Sequence, residues 1–230
     1  HAIAPESIHV DRASGAYLFA RNEGHKGERR IIDAISSWWV ITHGHCHPDI
    51  THAVQEQAAK LDQVILAGFT HDPAEALAHS LIDITGDALE HVFYSDSGST
   101  AVEVALKMAI GFWEHTNRPR KKIIALENAY HGDTFGTMSA GARSVYNKVY
   151  EPYLFEVEHI PVPTHGNEAK SFEALENILK TNKDDVAAFI FEPLIQGAGG
   201  MVMYSIDALR AMADLCKSYD VLLIADEVMT

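Results

Sequence analysis

The segment that decides the fold is residues 92–103, which read Val-Phe-Tyr-Ser-Asp-Ser-Gly-Ser-Thr-Ala-Val-Glu. Its apolar start predicts a short strand over Val92–Ser95, and the small polar residues that follow predict a turn. The chain then continues into a pattern that predicts a helix over Thr100–Trp113. Thr100 and Glu103 have the T-x-x-E spacing of a capping box, in which a hydroxyl and a carboxylate satisfy free N–H groups at a helix start.

The turn Gly98-Ser99-Thr100 is a candidate anion site. A glycine lets a ligand approach the backbone closely, and the free N–H groups at a helix N-terminus attract negative charge. Many strand–turn–helix connections have the same composition and bind nothing, so this turn needs support from the rest of the chain.

From Leu89 onward, strands and helices are predicted to alternate. Strands are predicted at Val92–Ser95, Ile123–Glu127, Val186–Phe191 and Val221–Ala225, and helices at Thr100–Trp113, Ser171–Lys180 and Asp207–Ser218. Apolar strands separated by helices predict an α/β fold whose mostly parallel sheet is covered by helices on both faces.

Each predicted strand ends in polar residues. The four ends are Asp96-Ser97-Gly98-Ser99, Asn128-Ala129-Tyr130-His131, Glu192-Pro193 and Asp226-Glu227. In open α/β sheets the ligand crevice lies outside the carboxyl ends of the strands. A phosphate cradle, an aromatic residue beside a histidine and two acidic positions are therefore expected at one place.

The beginning of the chain follows a different pattern. Residues 16–33, with a polar turn at Asn22–Glu28, predict a hairpin unit of two or three strands. Two helices are predicted next, Asp49–Gln63 with Asp49 as its cap and Pro73–Ile84 with Pro73 at its first position. Trp38-Trp39, before these helices, could be core or could wall a substrate pocket.

The composition limits the classes of function. The 230 residues carry a net charge of −14, which argues against a nucleic-acid partner. No apolar run is long enough to span a membrane. The chain has 2 cysteines, Cys46 and Cys216, far apart and without a motif, so a cytoplasmic location is expected.

Three other kinds of site are disfavoured. Leu222–Glu227 resembles the magnesium-binding strand of a P-loop ATPase, but the sequence has no G-x-x-x-x-G-K-[ST]. Gln196–Gly200 lacks the third glycine of a dinucleotide fingerprint. His43-x-His45-x-His47 lies in a predicted loop without a suitably spaced carboxylate or cysteine cluster apart from Cys46, so no metal site is predicted. An acidic strand end that merely faces solvent remains an alternative for Asp226.

Taken together, the motifs resemble class III, fold-type-I pyridoxal-phosphate aminotransferases. The segments that carry this resemblance are Phe93–Ser99, Asn128–Gly136, Glu192-Pro193 and Ile224–Val228. Within the family, Ser37-Trp38-Trp39, the Ser-Asp-Ser-Gly-Ser turn and Ala101–Ala105 are similar to the members that act in biotin biosynthesis. The resemblance implies pyridoxal 5'-phosphate as the cofactor, and transamination of 8-amino-7-oxononanoate to 7,8-diaminononanoate with S-adenosylmethionine as the amino donor.

The resemblance also implies a role for each site residue. Gly98 and Ser99 would hold the cofactor phosphate. Tyr130 would stack on the cofactor ring and face the substrate, and Asp226 would pair with the ring nitrogen. Glu192 would support the cofactor site from the neighbouring strand.

Partners and specificity are implied in the same way. Trp38 would line the substrate pocket together with Tyr130, and a homodimer is expected because family members have their sites at a dimer interface. Two alternatives remain: a class III aminotransferase of another specificity, or a non-catalytic phosphate-binding half-protein. The amino donor stays open, since some family members use lysine.

One departure from the family pattern concerns the Schiff-base lysine. The family places it on a strand well past the Asp226 motif, and none of the 10 lysines of this sequence occupies a matching position. The catalytic lysine is therefore expected beyond Thr230, the last residue of the sequence.

The same comparison with the family pattern implies a division into domains. We expect residues 1–48 to be a segment of a small domain and residues 49–230 to be an incomplete large domain that lacks its last sheet strands. Without the lysine, such a chain is expected to be inactive by itself.

Overall fold

The computed structural model describes residues 7–21, 27–86 and 89–230. Contacts between residues group the chain into two units, residues 1–92 and 93–230, which are described in turn. The boundary after residue 48 was implied by the resemblance to the family and describes the domains of a complete family member, whereas these units are defined by contacts within this chain. That boundary stays a prediction. Among the described ranges, no helix has both the length and the apolar character needed to cross a bilayer.

The first unit begins with an antiparallel three-stranded sheet. Its strands are β1 (Val10–Ser14), β2 (Tyr17–Arg21) and β3 (Glu28–Ile32), in the order β1-β2-β3. The register pairs Tyr17 with both Ser14 and Ile32. The predicted hairpin unit is confirmed, whereas residues 22–26 of the predicted turn lie outside the described residues.

A single left-handed helical turn, α1 (Ser36–Trp39), follows the sheet. Its four residues all have positive φ, from 45° to 68°. This left-handed conformation costs a residue with a side chain about 1–2 kcal/mol. The turn must therefore be stabilised by its surroundings.

Two longer helices complete the first unit, α2 (Pro48–Lys60) and α3 (Asp72–Thr85). The prediction that Asp49 caps α2 is wrong, because Pro48 takes the first helical position, where no N–H is needed, and His47 becomes the N-cap. In α3 the ring of His71 accepts a hydrogen bond from the N–H of Ala74, so this helix begins one residue before Pro73.

The second unit contains a parallel four-stranded sheet, which confirms the predicted fold class. Its strands are β4 (Lys122–Leu126), β5 (Glu158–Ile160), β6 (Val186–Phe191) and β9 (Leu222–Ala225), in the order β5-β4-β6-β9. Ile124 lies opposite Glu158 on one side and Phe189 on the other, and Phe189 lies opposite Leu223. Every residue of β6 is buried, as expected for a strand with both faces covered.

Helices cover both faces of this sheet. They are α4 (Gly98–His115), α5 (Phe135–Ala140), α6 (Glu168–Thr181) and α7 (Ile206–Ser218), and a 3₁₀ segment spans Lys148–Tyr153. Phe189 of β6 belongs to the same buried cluster as Met212 of α7. The next residue, Ile190, points to the opposite face and shares a second cluster with Trp113 of α4. The indole N–H of Trp113 donates to the carbonyl of Ala187 at 2.8 Å, which fixes α4 on the sheet.

The structure corrects the strand predictions in two places. The predicted strand at Val92–Ser95 is wrong: these residues belong to no sheet in the described part of the chain, and a strand requires a hydrogen-bonded neighbour. The short strand β5 and a hairpin of β7 (Ile195–Gln196) with β8 (Val202–Met203) were not predicted, because segments of two or three residues carry little periodicity.

The capping of α4 also differs from the prediction. Ser97 is the N-cap: its Oγ accepts from the Thr100 N–H at 3.2 Å, and the Oγ1 of Thr100 accepts from the Ser97 N–H at 2.9 Å. The predicted box of Thr100 with Glu103 is therefore wrong, and the helix begins at Gly98. Glu103 instead accepts from the backbone N–H of Gly136 at 2.7 Å, a partner that lies 33 residues away along the chain.

Candidate active site

Polar side chains from three neighbouring strands contact one another at the carboxyl edge of the parallel sheet. The segment after β4 carries Tyr130 and His131, β6 is followed by Glu192, and β9 is followed by Asp226. The ring of His131 contacts Asp226, and the backbone N–H of Tyr130 contacts Glu192. The topology thus brings together residues that are 95 and 62 positions apart in the sequence.

Asp226 is a buried carboxylate that is held by two donors. Its Oδ2 lies 2.7 Å from Nδ1 of His131, and its Oδ1 accepts the N–H of Val228 at 3.2 Å. The His131 side chain is fully buried, and its Nε2 has no hydrogen-bond partner within the described ranges. A buried polar atom without a partner costs about 1–3 kcal/mol, which the contact of Nδ1 with Asp226 helps to offset.

Glu192 uses both of its carboxylate oxygens. Oε1 accepts the N–H of Tyr130 at 3.1 Å, and Oε2 accepts the N–H of Gly197 at 2.8 Å. The backbone carbonyl of Glu192 accepts the hydroxyl of Tyr204. Burial raises the pKa of Tyr204 to about 12, so this hydroxyl keeps its proton and remains a donor. Glu192 is therefore the residue that joins the segment after β4 to the turn after β6.

The N-terminus of α4 lies beside this group. A Cβ on Gly98 would come within 3.0 Å of Val228, which is two residues after Asp226. The N–H groups of Gly98 and Ser99 belong to the first helical turn, where the helix itself offers no acceptor. No other acceptor for them exists in the described part of the chain. An anion next to Asp226 could therefore bind to these two N–H groups.

The segment after β4 is also fastened to the face of α4. The Oγ of Ser99 accepts the N–H of Asp133 at 3.2 Å, and one helical turn later Glu103 accepts the N–H of Gly136. A Cβ on Gly132 would overlap Ser99, and one on Gly136 would overlap the Glu103 carboxylate. Gly132 also has a φ of 123°, which side chains rarely adopt. Gly132 is therefore needed for this close approach, whereas a side chain at Gly136 would displace the Glu103 carboxylate.

Tyr130 is the aromatic residue of the site and is about half exposed, at 48%. Its hydroxyl donates to Asp133 at 3.1 Å, and its backbone is held by Glu192. Partial burial, and next the contact with Asp133, raise the pKa of the Tyr130 hydroxyl. Hydrogen bonds therefore hold Tyr130 at its hydroxyl and at its backbone, and together they restrict the orientation of the ring.

Two predicted features lie in the first unit. Trp38 is in the left-handed turn α1 and is 72% exposed, and its predicted contact with substrate stays a prediction. In the histidine loop, Nε2 of His45 contacts Asp33 at 2.7 Å, and the rings of His43 and His47 meet edge to face. No group of three potential metal ligands occurs in the ranges that the structure describes.

The Schiff-base lysine is the one predicted site residue that was placed outside the sequence. Asp226 follows β9, the last strand that the structure describes, and the chain given ends four residues later at Thr230. The lysine is expected on a strand beyond Thr230. Its position stays a prediction.

The sequence did not single out several residues that build the site. His131 was noted only as the neighbour of Tyr130, although the expected meeting of strand ends could have paired it with Asp226. The partners of Glu103 and Glu192 are backbone N–H groups, which leave no signal in the sequence. Gly132 could have been noticed, because a glycine inside a polar loop often marks a close approach.

This group of residues fits a flat, phosphorylated cofactor with a basic ring nitrogen. The free N–H groups of Gly98 and Ser99 suit a phosphate, and the buried carboxylate of Asp226 suits a cationic ring nitrogen. The half-exposed ring of Tyr130 can pack on a planar group.

Comparison with known proteins gives a family match over nearly the whole chain. The sequence model of the family Aminotransferase class-III matches residues 2–230. The chain is 48% identical over 235 residues to an adenosylmethionine-8-amino-7-oxononanoate aminotransferase of Synechococcus elongatus, a match that covers 99% of this chain and 54% of that relative. It therefore spans about half the length of the relatives that it matches.

Solved structures agree with this match. The adenosylmethionine-8-amino-7-oxononanoate aminotransferase of Methanocaldococcus jannaschii superposes with a TM-score of 0.89 at 32% identity, over 97% of this chain and 50% of that one. A PLP-bound amine transaminase from an uncultivated Pseudomonas species has a TM-score of 0.89 at 27% identity, over 99% of this chain and 55% of that one.

Proposed function

This chain belongs to the class-III aminotransferase family, and we propose that the protein containing it transfers an amino group from S-adenosylmethionine to 8-amino-7-oxononanoate. The product would be 7,8-diaminononanoate, and the cofactor would be pyridoxal 5'-phosphate. The observation that carries the proposal is the buried, His131-bound carboxylate of Asp226 next to the first turn of α4. The similarity to relatives named for these substrates supports this choice of donor and acceptor.

We assign the cofactor contacts as follows. Gly98 and Ser99 would donate their N–H groups to the phosphate, and the Ser99 hydroxyl, which accepts from Asp133, still has its own hydrogen to donate. Asp226 would pair with the ring nitrogen and keep it protonated. Tyr130 would pack on the ring. When bound, pyridoxal phosphate draws electrons from the carbon that carries the amino group.

His131 and Glu192 would act on the site indirectly. His131 donates to Asp226 and so sets the direction of the carboxylate toward the ring nitrogen. Glu192 has both oxygens engaged with backbone N–H groups, which supports a role in holding Tyr130 rather than in touching the cofactor. Trp38 would line the substrate pocket, and the protein would be a homodimer; both proposals rest on the resemblance to the family.

The family's Schiff-base lysine is not assigned to any lysine of this chain. Lys121 and Lys122 precede or open β4, and Lys183 precedes β6, so these three lie toward the amino edge of the sheet, opposite Asp226. Lys180 pairs with Glu176 on α6 at 2.7 Å.

We propose that the covalent contact to the cofactor comes from a lysine beyond Thr230, in the part of the protein that this sequence does not include. The 230 residues given would supply the phosphate, ring and ring-nitrogen contacts. The lysines next to β4 and β6 support this proposal, because all of them lie at the amino edge of the sheet and none lies at the carboxyl edge beside Asp226.

The proposal is tested by assaying the complete protein with pyridoxal phosphate for 7,8-diaminononanoate. We expect product with S-adenosylmethionine as donor and little or none with lysine. Product from lysine but not from S-adenosylmethionine would correct the donor and keep the reaction. If neither donor gives product from 8-amino-7-oxononanoate, the substrate assignment is wrong, and a class III enzyme of another specificity remains.

A second measurement separates an enzyme from a phosphate-binding module. The visible absorption of bound pyridoxal phosphate should change in Asp226→Asn, because the charge next to the ring nitrogen is lost. The control is Asp207→Asn, an exposed aspartate in the first turn of α7. An unchanged spectrum and unchanged cofactor affinity in Asp226→Asn would contradict the proposed role of the carboxylate.

A further inference from the structure

The carboxylate of Asp33 adds a side-chain hydrogen bond to the left-handed turn α1, which backbone hydrogen bonds also hold. Oδ2 of Asp33 accepts the hydroxyl of Ser37 at 2.7 Å and contacts Nε2 of His45 at 2.7 Å. The backbone carbonyl of Asp33 accepts the N–H of Ser36 at 3.2 Å. Asp33 therefore contacts the first two residues of the strained turn, one through its backbone and one through its side chain.

Asp33 is itself fixed to the sheet of the first unit. Its N–H donates to the carbonyl of Ala16 at 2.9 Å, next to the start of β2. His45 is tied to the same place, since it exchanges two backbone hydrogen bonds with Gly15, at 3.1 and 2.8 Å. A Cβ on Gly44 would lie 3.1 Å from Gly15, so the two segments are in close contact. Backbone hydrogen bonds thus fix the positions of both Asp33 and His45 relative to the start of β2.

Charge strengthens these contacts. The side chains of Asp33 and His45 are 6% and 12% exposed. The hydrogen bonds from the backbone and hydroxyl of Ser37, and then that from His45, lower the pKa of Asp33 to about 2. The carboxylate is therefore ionised at neutral pH, and hydrogen bonds to an ionised acceptor are stronger than those to a neutral one.

The two tryptophans of the turn have little else to fix their direction. Trp38 and Trp39 are 72% and 40% exposed, and their rings meet edge to face with centroids 6.3 Å apart. If the turn relaxed to a right-handed conformation, the bonds from Cα to Cβ would point elsewhere. The direction of both rings is therefore set by the backbone of α1.

We propose that Asp33 is a positioning residue, whose carboxylate holds residues 36–39 in the left-handed turn and so presents Trp38 to the substrate. This inference rests on the proposed function, in which Trp38 lines the substrate pocket. It adds a residue that touches neither substrate nor cofactor and that acts through the backbone of another segment.

The test compares Asp33→Asn with Asp83→Asn, an exposed aspartate on α3, in the complete protein. We expect Asp33→Asn to raise KM for 8-amino-7-oxononanoate about tenfold while kcat changes less than about threefold, because substrate contacts are misplaced and the reacting groups are not. The near-UV circular dichroism of the tryptophan pair, defined as the part that Trp39→Phe removes, should also shrink. Asp83→Asn should change neither quantity.

A rescue variant tests the physical cause. Glycine adopts positive φ without a penalty, so Asp33→Asn with Ser36→Gly should recover at least half of the lost circular dichroism and lower KM again. No recovery would mean that Asp33 acts by some route other than holding the turn, and would overturn the inference. An unchanged dichroism and KM in Asp33→Asn would do the same.

A failure of Asp33→Asn to fold and a failure of the proposed function can be distinguished. If Asp33→Asn fails to fold, Ser37→Ala removes only one side-chain hydrogen bond and should shift both quantities less, in the same direction; a folded Ser37→Ala with no shift overturns the inference. If the unmodified protein makes no diaminononanoate, the proposed function fails, while the dichroism still decides whether Asp33 holds the turn.

Discussion

At the scale of single residues, the carboxylate of Glu192 joins two segments through backbone N–H groups. In Glu192→Gln one of the two acceptor oxygens becomes an NH₂ group that faces the N–H of Tyr130 or of Gly197. Two donors then face each other in a buried place, which costs about 1–3 kcal/mol. We expect the free energy of unfolding in urea to fall by that amount.

The matched control for this substitution is Glu173→Gln, on the exposed side of α6. It makes the same chemical change without a buried partner, and surface changes of this kind stay within about 0.5 kcal/mol. The affinity for pyridoxal phosphate should fall only in Glu192→Gln, because Tyr130 loses its anchor. Equal stability of the two variants would show that the carboxylate does not hold the segment.

Residues differ in how far their roles could be predicted. Gly98 and Asp226 follow strand-like or apolar segments, so the rule for strand ends predicts their place from the sequence alone. Glu103 was assigned to a cap, because spacing along the chain is visible in a sequence while the approach of Gly136 is not. The left-handed φ of Trp38 could not be predicted either, because left-handed turns of four residues with side chains are rare.

At the scale of elements, the contact between α4 and α5 depends on a glycine. Gly136 is buried, and an alanine there would overlap the Glu103 carboxylate that accepts its N–H. Gly136→Ala should therefore displace this carboxylate and leave the buried N–H of residue 136 without its acceptor, which lowers the free energy of unfolding by about 1–3 kcal/mol. Thermal or urea unfolding measures the change.

Gly111 of α4 provides the opposite case. An alanine Cβ at Gly111 would meet no atom within 4 Å, and a helical alanine is more stable than a glycine by about 0.5–1 kcal/mol. The same substitution should thus stabilise the protein at Gly111 and destabilise it at Gly136. Stabilisation at both positions would show that the α4–α5 contact is looser than described.

Elements were predictable where they are long and buried. The pattern predicted β6 at Val186–Phe191 and the central parts of α4, α6 and α7, since these have strong apolar periodicity. The strand predicted at Val92–Ser95 failed for a different reason. Apolar residues can favour an extended chain, but a strand also depends on a neighbour that supplies hydrogen bonds, and the local sequence carries no information about that neighbour.

At the scale of the whole molecule, buried apolar residues are concentrated in the second unit. In the described part of residues 1–92, Ala20 is the one hydrophobic residue that is buried. Neither α2 nor α3 has a buried residue, although both carry apolar side chains, among them Val54 and Leu77. Local stability should therefore differ strongly between the two units.

Two helices of equal length allow this difference to be measured. α3 and α6 both have 14 residues, but α6 buries Leu175 and Leu179 against the sheet and α3 buries nothing. Isolated helices of this length are marginal in water, so α3 has little local packing to protect its backbone hydrogen bonds. In the 230-residue polypeptide, we expect the amide hydrogens of α3 to exchange at least about a hundredfold faster than those of α6. Mass spectrometry after deuterium labelling gives both rates.

In the complete protein, the exchange of α3 should slow while that of α6 stays the same. Equal protection of the two helices in the 230-residue polypeptide would contradict this account of where the chain is stable.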